Sequence, residues 1–295
     1  MAKMAVMNMV APPPDLAIIS ALQTKLVAAL CPILPEDGLL WEPEDTIPYE
    51  CDGLAAYRRM PLAVALPETE AQVAQILKIC HAMNIPVVPR GSGTGLSGGA
   101  MPIAQGLVLS LAKLKKIVSI DPFTRTAVVQ PGVRNLAISE AVAHLGLYYA
   151  PDPSSQIACS IGGNVNENSG GVHCLKYGLT LHNVLRVRAV LMNGEIVEFG
   201  GLAPDAPGLD LMSVMIGSEG MLAVVTEVTV KLVPKPKLAR VIMASFDDIE
   251  KGGNAVAAII AAGIIPAGLE MMDKATTRAV EEFVHAGYDL SLIHI

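Results

Sequence analysis

The segment PRGSGTGLSGG, residues 89–99, constrains this chain more than any other. It follows an apolar run, Ile85-Pro-Val-Val88, that reads as a strand, and it holds five glycines within residues 91–99. Residues 93–98 fit G-x-G-x-x-G in form, but a Rossmann loop must open a long helix and meet an acid about 20 residues on. Here the sequel is GAMPIAQG (99–106), in which glycine and proline forbid a packed helix. A P-loop is excluded too, because Gly99 stands where its lysine belongs. What remains is a strand–glycine loop–strand unit. Its bare N–H groups, with the hydroxyls of Ser92, Thr94 and Ser97, form a nest suited to a pyrophosphate.

The surroundings narrow the class. At 295 residues the chain has room for about two domains. Apolar residues are 52% and charged ones 17%, which excludes disorder. The apolar run Ala255–Leu269 is broken by Gly263 and Pro266, so no transmembrane segment is expected. A net charge of −7 without a basic block, and 4% aromatics, exclude nucleic-acid binding. The five cysteines lack C-x-x-C spacing, which excludes a zinc ribbon or iron–sulfur cluster and suits a reducing cytoplasm. The start, MAKMAVMNMVAPPP, is too short and weakly charged for a signal peptide. The end, Leu290-Ser-Leu-Ile-His-Ile295, reads back to CTG TCT CTT ATA CAC ATC, which looks like a transposase mosaic-end adapter. Residues 290–295 are therefore expected to be a scar, and the chain the front part of a longer protein.

Periodicity predicts helices over residues 15–31, 68–83 and 135–145, and strands over 62–66, 85–88, 107–111, 117–120 and 127–130. Residues 183–192 and 195–199 read as a hairpin around Asn193-Gly194. A long strand over 222–233 follows, and Pro234-Lys-Pro-Lys237 marks a boundary. Beyond it come a strand (241–245), a helix (248–262), a strand (267–271) and a helix (274–285). The fold class is α+β.

A second glycine-rich stretch, residues 160–171, has Glu167 as its sole charge. Its Asn164, Asn166, Asn168, Ser160 and Ser169 suit the donor–acceptor edge of a planar heterocycle, or else form a polar loop. Before it, PDPSS (151–155) holds a rigid turn. In IGSEG (216–220), Glu219 is a lone acid between glycines, as in any solvated turn. His81 and His144 suit helix C-termini, and His182 reads as structural. His173 lies inside the second glycine stretch. No metal-ligand pair and no nucleophile–base set can be assembled.

In this order, PRGSGTGLSGG, PDPSS, IGGNVNENSGGVHCLKYGLT (161–180) and IGSEGMLAVVTEVTVKL (216–232) resemble the flavin-binding part of the vanillyl-alcohol-oxidase/PCMH superfamily. Within it, the resemblance is to the family of the glycolate oxidase catalytic (D) subunit and FAD-linked D-lactate dehydrogenases, over residues 36–289. It implies a lead-in over 1–55, a PCMH-type FAD-binding domain of two α/β subdomains over 56–235, and the beginning of an α+β cap over 236–289. The implied cofactor is FAD, dissociable because the pyrophosphate loop has no histidine for covalent attachment.

Carried over by resemblance, Arg90, Gly91, Ser92, Gly93, Thr94, Gly95, Leu96 and Ser97 would hold the pyrophosphate through backbone amides, with Pro89 also at the cofactor. Pro151, Asp152, Ser155, Gly162, Gly163, Asn168, Ser169 and Gly170 would contact the flavin or its ribityl chain. Tyr177, Gly178, Glu219, Gly220, Val224 and Val225 would complete the pocket. The implied function is oxidation of a small 2-hydroxy acid, of glycolate or D-lactate type, by hydride transfer to flavin N5. The family's catalytic histidines and acid fall beyond this chain's last residue, so catalytic residues are not assigned. Implied partners are FAD-binding and iron–sulfur subunits, with peripheral membrane association through them. The rivals are a non-catalytic FAD-binding subunit of a larger complex, and a flavin-free nucleotide-binding protein. With its second domain cut, the fragment is expected to be poorly soluble.

Overall fold

A computed structural model describes residues 16–203 and 208–295. The readings of the Met-rich start and of the PPPD helix signal lie outside those residues. Along the chain run α1 (Leu16–Leu30), β1 (Leu39–Leu40), α2 (Pro43–Thr46), β2 (Ala63–Ala65), α3 (Glu70–Ala82), β3 (Val87–Arg90) and β4 (Leu107–Ser110). Next come β5 (Ile117–Asp121), β6 (Thr126–Val129), α4 (Asn135–Val142), β7 (Leu147–Tyr148), α5 (Ile161–Glu167), α6 (Cys174–Tyr177), β8 (Val184–Val190) and β9 (Ile196–Gly200). The last elements are α7 (Leu211–Met215), β10 (Val224–Lys231), β11 (Val233–Pro234), β12 (Ser245–Phe246), α8 (Ile249–Ala261), α9 (Lys274–Val284) and β13 (Ile293–His294).

The first sheet has the order β1-β2-β4-β3, with β2, β4 and β3 parallel and β1 antiparallel to β2. Helix α3 makes the crossover from β2 to β3. It starts on a capping box in which Thr69 Oγ1 accepts from the Gln72 amide and Gln72 Oε1 accepts from the Thr69 amide. Val73, Ile76, Leu77 and Cys80 then fall on one face and are fully buried against the sheet, together with Leu26 and Leu30 of α1. Burying side chains of this size stabilises by about 1.5–3 kcal/mol each.

The second sheet is antiparallel, in the order β5-β6-β10-β8-β9. It packs with α4 and α5 around a second core that includes Val129, Ile138, Ile161 and Val228. Adjacent residues of β10 serve different cores: Val224 belongs to the first and Val225 to the second. A cross-tie joins the same parts. The Arg188 guanidinium of β8 donates to both carboxylate oxygens of Glu70 at the start of α3, at 2.8 and 2.9 Å. Thr226 Oγ1 of β10 donates to Glu70 at 2.7 Å.

Three expected elements differ. Residues 161–167, read as loop, form α5; the glycines of its first turn are poor helix formers, and packing on Pro131 outweighs their propensity. The strand expected over 241–245 is reduced to Ser245–Phe246, and Val241 and Ile242 are 96% and 86% exposed. The strand expected over 267–271 does not form; only Met272 makes an isolated bridge, to His294. β propensity holds no strand without a neighbour to pair with. Residues 293–294, set aside as scar, pair with β12. Among the described residues, no helix is long and apolar enough to cross a membrane.

Candidate cofactor cleft

The glycine loop leaves the carboxyl end of β3, and the chain returns through β4, whose last residue, Ser110, lies beside Arg90. Ligands of open parallel sheets bind at that end of the strands. Ser160 and α5 face the loop across a cleft of about 290 Å³. The approach is close enough that a Cβ at Gly91 would overlap Ser160 Oγ. On the other side, an added Cβ at Gly162 would stand 2.6 Å from the Pro131 ring. Only glycine lets these backbones meet.

The loop's amides are unspent. Among the described residues, no protein acceptor takes the N–H groups of residues 91–97. Ser160 Oγ and Asn166 Oδ1, both in residues lining the cleft, are buried without a partner, as is the neighbouring Ser218 Oγ. Buried groups of this kind mark a place where a ligand completes the hydrogen bonding. Arg90 is the one cationic residue of the lining among the described residues, but its side chain turns away. It donates to the Cys51 carbonyl at 2.7 Å and stands over the Tyr49 ring, 5.6 Å from its centroid. Burial pushes its guanidinium down from the usual range, opposed by the charge of Asp52. Arg90 thus anchors the loop to the lead-in.

Of the residues marked out by sequence, Pro89 through Leu96, Ser155, Gly162, Gly163, Ser169, Glu219 and Gly220 line this one cleft. Ser97, Pro151, Asp152, Asn168, Gly170, Tyr177 and Gly178 fall outside the lining. Several of these shape it. The Pro151 carbonyl accepts from Asn135 Nδ2 at 3.0 Å, and the same amide donates to Asn164 Oδ1 at 3.0 Å. Asn168, left-handed at φ 49°, ends α5 and accepts from the Leu181 amide. Val224 and Val225 have their side chains inside the two cores.

Asp152 pairs instead with His173, Oδ2 to Nδ1 at 2.6 Å. The His173 ring lies 6.4 Å from that of Tyr177, which meets Tyr148 edge-on at 6.1 Å. Burial, then the hydrogen bond with Tyr177, pushes the Tyr148 phenol above its usual range. Sequence reasoning did not assign Glu167, Cys159 or Pro131 to the site. The available signal for Glu167 was that it is the sole charge in its stretch.

Comparison with known proteins agrees with this geometry. The family profile described as "FAD binding domain" matches residues 61–200, and "FAD linked oxidases, C-terminal domain" matches 235–292. Glycolate oxidase subunit GlcD of Escherichia coli (strain K12) is 60% identical over 266 residues, covering 90% of this chain and 53% of that protein. D-lactate dehydrogenase of Anaerostipes hadrus is 35% identical, over 79% of this chain and 49% of its own length. The chain thus spans about half the length of the curated relatives it matches.

Among solved structures, alkyldihydroxyacetonephosphate synthase superposes with a TM-score of 0.79 at 19% identity, over 97% of this chain and 56% of that one. p-Cresol methylhydroxylase with bound substrate gives 0.66 at 24% identity, over 81% and 48%. Two subdomains meeting at a glycine-lined cleft form the PCMH-type fold of these structures, on a chain that matches an FAD binding domain. FAD is the cofactor of that domain. The chain thus joins an FAD binding domain to the C-terminal domain of FAD linked oxidases, and it is similar in sequence to glycolate oxidase subunit GlcD and to D-lactate dehydrogenase. The residues fit the group: seven free amides suit a pyrophosphate, and the orphaned Ser160 and Asn166 oxygens suit its hydroxyls or ring edge.

Proposed function

We propose that the chain is the FAD-holding front part of an oxidoreductase that converts a small 2-hydroxy acid, of glycolate or D-lactate type, to the 2-oxo acid. The observation that carries this reading is the run of unspent amides at residues 91–96, lining the same cleft as the orphaned Ser160 Oγ. FAD, when bound, supplies the hydride acceptor at flavin N5. Residues 91–97 hold the pyrophosphate by charge-assisted hydrogen bonds from their backbones. Ser155, Gly162, Gly163 and Ser169 border the ribityl chain and flavin, with Pro151, Asp152, Asn168, Gly170, Tyr177 and Gly178 supporting them. Glu219 and Gly220 close the near wall, and the backbones of Val224 and Val225 complete it.

The FAD domain runs over 56–235 and the cap begins at 236. Attachment is noncovalent, since residues 89–99 contain no histidine. Iron–sulfur and FAD-binding partner subunits take the electrons onward in the cytoplasm, in keeping with the relatives called subunits.

The test is an absorbance spectrum of purified, desalted protein, repeated on the supernatant after acid precipitation. A flavin spectrum that passes wholly into the supernatant is expected. Colour retained in the pellet would contradict dissociable FAD. A folded protein that takes up no FAD would overturn the reading.

A further inference from the structure

The cleft that receives a doubly charged pyrophosphate is lined by acids. Glu167, the last residue of α5, leans on the glycine loop: its Oε1 lies 3.5 Å from the position a Cβ would take at Gly95 and 3.4 Å from that at Gly99. Glu219 Oε2 is 3.5 Å from the same position at Gly99. Asp52 is buried behind the loop, with one carboxylate oxygen lacking any partner. The Asp52 segment abuts the loop, since a Cβ at Gly53 would stand 2.7 Å from the Gly95 carbonyl. The loop itself carries no titratable side chain, and Arg90, the nearest cation, is committed to the Cys51 and Ala100 carbonyls.

Two more negative charges brought among three carboxylates, with no free cation in the lining among the described residues, cost energy that a proton can relieve. Glu167 is best placed to take it. Its side chain is exposed, yet partial burial first and then the charges of Glu219 and Asp52 already hold its carboxyl above the usual carboxylate range. A protonated carboxyl also becomes a donor, and could then add an O–H···O bond to those from the loop amides.

We propose that Glu167 takes up a proton from solvent as FAD binds and donates it in a hydrogen bond to the pyrophosphate, so that the chain binds FAD more tightly as pH falls. This rests on FAD being the cofactor. The sign follows from linkage. The bound state holds the proton more tightly than the free state, so affinity is constant and weak above the bound-state pKa of Glu167. It rises as pH drops toward the free-state pKa, and below that it is constant and tight.

The experiment is titration of the 295-residue apoprotein with FAD between pH 5.5 and 8.5, read by flavin fluorescence, with riboflavin as the probe lacking a pyrophosphate. Each unit by which bound FAD raises the Glu167 pKa gives about a tenfold gain in affinity across this range. Riboflavin binding is expected to be flat with pH. Glu167→Gln, always neutral, should lose the slope and bind FAD at pH 8 about as tightly as the wild type does in acid.

A wild-type profile for FAD that is flat overturns the proposal, as does a slope that survives in Glu167→Gln. Should that variant misfold, calorimetry of the wild type in two buffers of different ionisation enthalpy decides. Net uptake of protons near pH 6.5 supports the proposal, and none overturns it. Failure to bind FAD at any pH would strike the cofactor assignment itself, and the proposal with it.

Discussion

Single residues set the width of the cleft. Gly162 is the clearest case, because the atoms a side chain would strike belong to a proline ring and its backbone, which cannot swing away. Gly162→Ala should therefore push α5 off Pro131 and cost about 1–3 kcal/mol of stability. The same displacement should weaken FAD binding by about tenfold or more. A fluorescence titration beside a denaturant melt checks both. Cys80 illustrates the opposite environment. It is fully buried, and burial pushes its thiol up to about 12, so it should resist alkylation at pH 8 in the native protein. The exposed Cys31 should react under the same conditions. Peptide mapping after iodoacetamide treatment distinguishes them. The glycine loop was legible at this scale, because five glycines after a strand leave few other uses. Glu167 was not assigned, because a lone acid reveals its role only once α5 brings it against Gly95 and Gly99.

At the scale of elements, the tie between α3 and the second sheet carries a pH signature. Burial acts to raise the Glu70 carboxyl, but the bonds from Arg188 and Thr226 prevail and hold it below the usual carboxylate range. A depressed folded-state pKa gives stability that is present above the unfolded pKa and lost as pH falls through the folded one. Glu70→Gln should thus cost about 1–2 kcal/mol at pH 7, allowing for partial exposure of the pair. The gap from the wild type should close as pH drops below the ordinary glutamate value of 4.5. Melting curves at pH 7 and pH 3.5 test this. Most elements of both sheets could be read from periodicity, since alternation and the 3.6-residue repeat are local. Helix α5 could not, because what stabilises it is Pro131 and the second core, which are remote in sequence.

For the whole molecule, the contrast lies between the two cores and the chain beyond residue 235. The FAD-binding part is built on two cores of buried apolar side chains, although Phe123 and Leu209 stand exposed on its surface. Leu238, Val241, Ile242 and Phe283 stay open to solvent, the last three at 86% or more. Contiguous exposed apolar chain is an association surface. Val241→Ser combined with Ile242→Lys should raise the monomeric fraction on size-exclusion chromatography without changing FAD binding. Unchanged aggregation would locate the association elsewhere.

Because β10 contributes neighbouring residues to both cores, the two halves of the FAD-binding part share a beam rather than a hinge. Prising them apart would shear that strand and break the Glu70–Arg188 tie. The route of entry is therefore fixed by the architecture. We expect the dinucleotide to pass through the mouth of the cleft, with exchange set by small movements of the glycine loop and of the Ser160 turn. A disulfide that locked α3 to β8, beside the Glu70–Arg188 tie, should leave the rate of FAD release unchanged.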